Sequence, residues 1–148
     1  MSLSLSYEPR SRCVLEIYGK EVWGETNCLA DSLDELVTAA WALVAHGSTE
    51  TVFFLPAPGC SFWAFRRLGA RLRVSVVEWD DFSYHRVRPG RVTFEAECRL
   101  RTFAGAVLSA AQRVLETHGE EGYQAMSGYR FPTERLEDLR ASLRETKR

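Results

Sequence analysis

Around residue 100 the spacing of apolar side chains changes period, and that change limits what the chain can become. Over "RVTFEAECRL" (91–100), Val92, Phe94, Ala96, Cys98 and Leu100 alternate with Thr93, Glu95, Glu97 and Arg99, the period of two that a strand with one buried face requires. Directly afterwards Phe103, Val107, Leu108, Ala111, Val114 and Leu115 recur at helical spacing up to Gly119, which predicts an amphipathic helix over 103–118. Each element leaves one apolar side to be covered. An α+β architecture is the expected solution.

The remaining segments fit that class. "RCVLEIYG" reads as a first strand, with Cys13, Leu15 and Ile17 on one side, and "KEVWGETNC" as a turn or a short second strand. A helix over 33–46 is expected from Leu33, Leu36, Val37, Ala40, Leu43 and Val44, started by a capping box of Ser32 and Glu35 and ended at Gly47. The β-rich runs at 51–55, 60–68 and 71–79, separated by "PAPG" and "GA", predict an antiparallel meander. A last helix begins near Pro132 or Thr133 with a narrow stripe of Leu136, Leu139 and Leu143, which predicts a surface position and a frayed end over 144–148.

The 148 residues are 45% hydrophobic and include 8 Phe, 5 Tyr and 4 Trp, enough for the core of one domain over 1–148. Nineteen basic and 20 acidic residues give a formal net charge of -1, so no global field collects nucleic acid or an anionic membrane. The start "MSLSLSYEPRSR" has no cationic leader followed by an apolar run, and no segment approaches the ~20 apolar residues of a membrane span. Cytoplasmic residence and no membrane partner are expected. Cys13, Cys28, Cys60 and Cys98 are scattered, without a C-x-x-C pair or clustered histidines, so no metal site and no cofactor is expected, and four free thiols suit a reducing compartment.

Catalytic chemistry has few carriers. Cys60 follows the turn "PAPG" and precedes a strand-like run, which makes it the first residue of the returning strand; a nucleophile would need a base such as His85 brought near by the fold. His46 and His118 stand at helix ends, where a cationic side chain complements the dipole. Arg66, Arg67, Arg71 and Arg73 flank one hairpin turn, and Arg86, Arg88 and Arg91 close the long connection "WDDFSYHRVRPGR" (79–91). Sharing a face, they would make a phosphate-binding patch, but Glu78, Asp80 and Asp81 stand between the two groups. That connection holds the best candidate site: Glu78, Trp79, Asp80, Asp81 and Tyr84 mix carboxylates with aromatic rings in the manner of a protein-binding hot spot.

The stretch "HGEEGYQAMSGYRFPTERLEDL" (118–139), following a β-rich meander and an amphipathic helix, resembles the ends of small bacterial α+β families of the immunity-protein kind. Members of such families neutralise polymorphic or contact-dependent toxins by stoichiometric binding. The resemblance implies a class of function, a non-enzymatic toxin inhibitor, and carries no catalytic residue over. The sequence therefore predicts an antiparallel sheet of about five strands, two main helices and a C-terminal surface helix, with another protein as partner, a cognate toxin by resemblance. A small thiol-dependent enzyme using Cys60 with His85, and an arginine-patch nucleic-acid module, are the rival readings. An exposed sheet edge or the narrow-striped last helix would equally well make a homodimer.

Overall fold

The change of period near residue 100 is a junction without a loop: Arg99 ends a strand and Leu100 begins a helix. The computed structural model describes residues 3–26, 31–45, 47–48, 50–55, 60–79 and 90–145, with 50–55 and 60 described as backbone. Among the described residues seven strands and three helices follow in the order β1 (Leu3–Tyr7), β2 (Arg12–Ile17), β3 (Lys20–Glu25), α1 (Ser32–Val44), β4 (Glu50–Leu55), β5 (Cys60–Leu68), β6 (Arg71–Trp79), β7 (Arg91–Arg99), α2 (Leu100–Ser127) and α3 (Thr133–Glu145).

The strands form two antiparallel sheets, β1-β2-β3 and β4-β5-β6-β7, which corrects the expectation of one sheet of about five strands. The helical excursion through α1 separates the two meanders. They come together at β3 and β7 through side chains, Lys20 Nζ donating to the Glu95 carbonyl at 3.2 Å. The second sheet is the meander expected from the β-rich runs, and Cys60 heads β5 opposite Trp79.

The segment "LSLSY" (3–7) is a strand that the sequence reading passed over. Leu5 and Tyr7 are buried, and Leu5 pairs with Leu15, which pairs with Val22. One buried cluster then joins Leu5, Leu15 and Ile17 of the first sheet, Trp63, Phe65, Val74 and Phe94 of the second, and Leu36, Phe103 and Leu139 of the three helices. No helix among the described residues is long and apolar enough to cross a membrane.

Three local expectations change. Val92 is 59% exposed, although alternation places it with Phe94. A bulge is the cause: Val76 pairs with Phe94 but Val77 pairs with Val92, so one residue is skipped and the start of β7 turns over. The N-cap of α1 is Asp31, whose carboxylate accepts from Asp34 N–H at 3.4 Å, whereas the Ser32 hydroxyl is buried and bonded to Tyr7 Oη at 2.6 Å. Finally, α2 runs past 118 to Ser127. Gly119, at φ 70° and ψ 170°, breaks the ladder without ending the run, a conformation that glycine tolerates and that divides α2 into two legs. The frayed end expected over 144–148 lies mostly outside the described residues, and α3 is helical to Glu145.

Candidate functional site

Of the five residues proposed from sequence, Glu78 and Trp79 close β6 and are half-buried, while Asp80, Asp81 and Tyr84 lie outside the described residues, as do His46, His85, Arg86 and Arg88. Glu78 stands opposite Ser61 and Arg91, and the Trp79 ring meets Phe62 edge to face at 5.5 Å. Gly90 returns the chain beneath that ring: a Cβ there would come within 2.4 Å of Val77 Cγ1 and 2.8 Å of two Trp79 ring carbons. Only a glycine fits so close to the tryptophan. Trp79 thus fastens the end of the second sheet as well as bordering the 80–89 connection.

A larger feature lies elsewhere, where helices begin. α1 starts at Asp31, the second leg of α2 starts just after Gly119, and α3 starts at Thr133; all three starts line a cleft of about 1030 Å³. Each brings acids in its first turn, Asp34, Glu120 with Glu121, and Glu134, which stabilise the positive ends of the helix dipoles. The lining holds six carboxylates, from these four residues with Asp31 and Asp138, against the guanidiniums of Arg130 and Arg135. Each helix start contributes roughly half a positive charge, so the cleft keeps an excess of about two to three negative charges. Arg135 is further engaged, 4.0 Å over the Trp41 ring and 3.4 Å from Asp138. The Thr133 hydroxyl bonds Glu120, tying α3 to the second leg of α2.

The floor of the cleft is a buried polar junction. Tyr123, 1% exposed, packs edge to face on Phe131 at 5.5 Å and directs its hydroxyl to Asp31 Oδ1 at 3.4 Å. Burial pushes the Tyr123 and Tyr7 phenols above their ordinary range. Burial likewise raises the Asp31 carboxyl, against the hydrogen bond from Asp34 N–H that lowers it. A carboxyl whose folded pKa is raised stabilises the fold in its protonated form, and that contribution is lost as pH rises through the folded value. Asparagine keeps the N-cap oxygen without the charge. Asp31→Asn is therefore expected to gain stability relative to the parent as pH is raised from below 3.8 towards neutrality, read as the difference of urea midpoints across pH. A constant difference would remove the charge from the account of this site.

Sequence reasoning missed the cleft because its acids come from positions about 90 residues apart that only the helix packing unites. Most of its lining falls within 118–139, where Glu120, Glu121, Glu134 and Asp138 stand close in sequence. Among the described residues no group of three metal-ligating side chains converges. The described thiols, Cys13 and Cys98, are buried, and burial drives Cys13 up beyond the usual thiol range and Cys98 up to about 11, which removes the thiolate a nucleophile needs. No protein-family model, curated protein or solved structure matches the chain.

Proposed function

We propose that the protein is a non-enzymatic binding module of the immunity type, which neutralises a toxin-like protein by forming a stoichiometric complex, and that the acidic cleft meets a basic face of that partner. The observation that carries the reading is the negative excess that remains in a cleft of about 1030 Å³ after the helix dipoles are counted. Such a field steers a cationic surface into register and raises its association rate. The half-buried Tyr129 at the wall offers an aromatic contact of the kind that anchors interfaces. The 78–84 segment, led by Glu78 and Trp79, is a second acidic and aromatic contact surface in the same reading.

The test uses two baits in parallel, the wild-type chain and the double variant Glu121→Lys/Asp138→Lys, both exposed positions. The wild type should retain one basic protein from the source lysate at low salt, and the purified pair should form a 1:1 complex whose co-expression relieves growth inhibition by the partner. Association with the double variant should be slower by about tenfold and less salt-sensitive. A partner that binds both baits at equal rates displaces the cleft in favour of another surface. A partner harmless to cells removes the inhibitor reading.

A further inference from the structure

α1 and α3 end near the other end of the helical layer, and there the sign of the charge reverses. A cavity of about 600 Å³ is lined by Arg67, Arg71, Arg99 and Arg101 together with Leu100 and Thr102. The β5–β6 hairpin supplies the first two arginines and the β7–α2 junction the other two. No alternation of sequence puts them together. Arg71 and Arg99 meet because they are direct cross-strand partners on β6 and β7.

Two of the four have structural work. Arg67 donates Nη1 to the Leu43 carbonyl at 2.7 Å and Nε to the Gly69 carbonyl at 3.0 Å, closing the last turn of α1. Arg101 donates Nη2 to the Leu143 carbonyl of α3 at 2.6 Å. Both guanidiniums are thereby held in place with positive charge at the cavity wall. The other two are less well balanced. Arg71 lies 3.6 Å from Glu97, a carboxylate that Arg73 also holds at 3.0 Å. Arg99 has no acidic partner among the described residues, and it stands opposite another arginine, an arrangement that costs stability in a sheet.

At α2 the backbone adds to the same sign, whereas the carbonyl ends of α1 and α3 offset Arg67 and Arg101. Arg99 is the N-cap of α2 and makes no side-chain capping bond, and the first turn holds no acid. Leu100 N–H is taken by the Ala70 carbonyl at 3.0 Å, but the next N–H groups of the turn have no acceptor within the helix. The positive start of α2 thus stands beside Arg99 and its cross-strand partner Arg71, a conflict of local electrostatics that a bound anion resolves.

We propose that this cavity binds the phosphoryl group of a small phosphate monoester, with the Arg99 and Arg71 guanidiniums and the first-turn N–H groups of α2 as its donors. Guanidinium forks match tetrahedral oxyanions with paired hydrogen bonds, and a helix start supplies further donors. The cavity has room for a sugar-sized body beyond the phosphate, and Val44 and Leu100 give that body an apolar wall. An extended polynucleotide fits less well. Beyond the cavity, Arg73 pairs with Glu97 and Ser75 with Glu95 along β6 and β7, so carboxylates interrupt any basic track.

The experiment measures thermal unfolding and titration calorimetry on the full chain with inorganic phosphate, ribose 5-phosphate and ribose, at ionic strength fixed with chloride. Phosphate at a hundred times its Kd should raise Tm by about 9 °C. Ribose 5-phosphate should bind at least about threefold more tightly than phosphate, and ribose should be silent. Arg99→Ala and Arg71→Ala, both exposed and outside the helix-closing bonds, should each weaken phosphate binding about tenfold, with Arg99→Lys between them and the wild type. Arg12→Ala, an exposed position on β2 of the first sheet and outside the cavity lining, should bind as the wild type does. Equal stabilisation by phosphate and chloride, or unchanged affinity in Arg99→Ala, overturns the proposal. Salt-sensitive binding of an oligonucleotide of about 20 bases without any response to the two small phosphates also overturns it, in favour of a polyanion surface.

Discussion

Phe103→Ala is expected to cost about 3–5 kcal/mol, the range for emptying an aromatic site that cannot collapse. Phe103 is fully buried one turn into α2, and its ring lies 4.9 Å from Phe65 in the middle of β5. Because β7 passes into α2 without a loop, the first helical turn is fixed directly by the sheet, and Phe103 is the wedge between them. Against a total stability of about 5–15 kcal/mol, the loss would leave little of the folded state at physiological temperature. Phe103→Leu keeps most of the volume and should cost less than about 1.5 kcal/mol. Urea denaturation of both variants decides the matter; a loss below about 1 kcal/mol for the alanine variant would mean that α2 is aligned by other contacts.

Tyr123→Ala is expected to have a comparable cost, about 3–5 kcal/mol, and a more local consequence. The residue joins three elements: its ring supports Phe131 ahead of α3, its hydroxyl reaches Asp31 at the start of α1, and its backbone belongs to the second leg of α2. Removing it uncouples the three helix starts that form the acidic cleft. Partner binding should fall together with stability. Tyr123→Phe separates the two roles, since it keeps the ring and gives up one hydrogen bond, at a cost of about 1 kcal/mol. Hydrogen exchange at 120–127 and 131–136 checks the locality, and protection unchanged in Tyr123→Ala would show that the helix starts are held from elsewhere.

Periodicity made the element types legible and left their association illegible. The switch from two to 3.6 near residue 100 marks the end of β7 within a residue and the start of α2 within three, because amphipathic period is a local property. "LSLSY" carries the same alternation in Leu3, Leu5 and Tyr7 over only five residues, and pairing with β2 makes it a strand. Gly119 was read as a stop, and glycine does break the ladder there, yet the chain resumes a helix because Tyr123 has a site to fill beyond it. Division into two sheets depends on which edges find each other. No single strand encodes that. The same limit hid both candidate sites, since Arg71 opposite Arg99 is a fact of register, and Asp31 beside Tyr123 a fact of packing.

The bond from Arg113 Nη2 to the Leu5 carbonyl, 2.8 Å long, joins positions 108 residues apart. It ties a helix to a strand made about 100 residues before it, and that order has a meaning during synthesis. β1, β2 and β3 leave the ribosome with Leu5, Leu15 and Ile17 facing water, and α2, which packs on β1, follows about 100 residues later. At 5–20 residues per second the nascent sheet waits about 5–20 s for its cover. For that interval the uncovered first sheet is the stickiest of the elements already made. Ribosome-bound chains stopped before residue 100 are the species that need a chaperone.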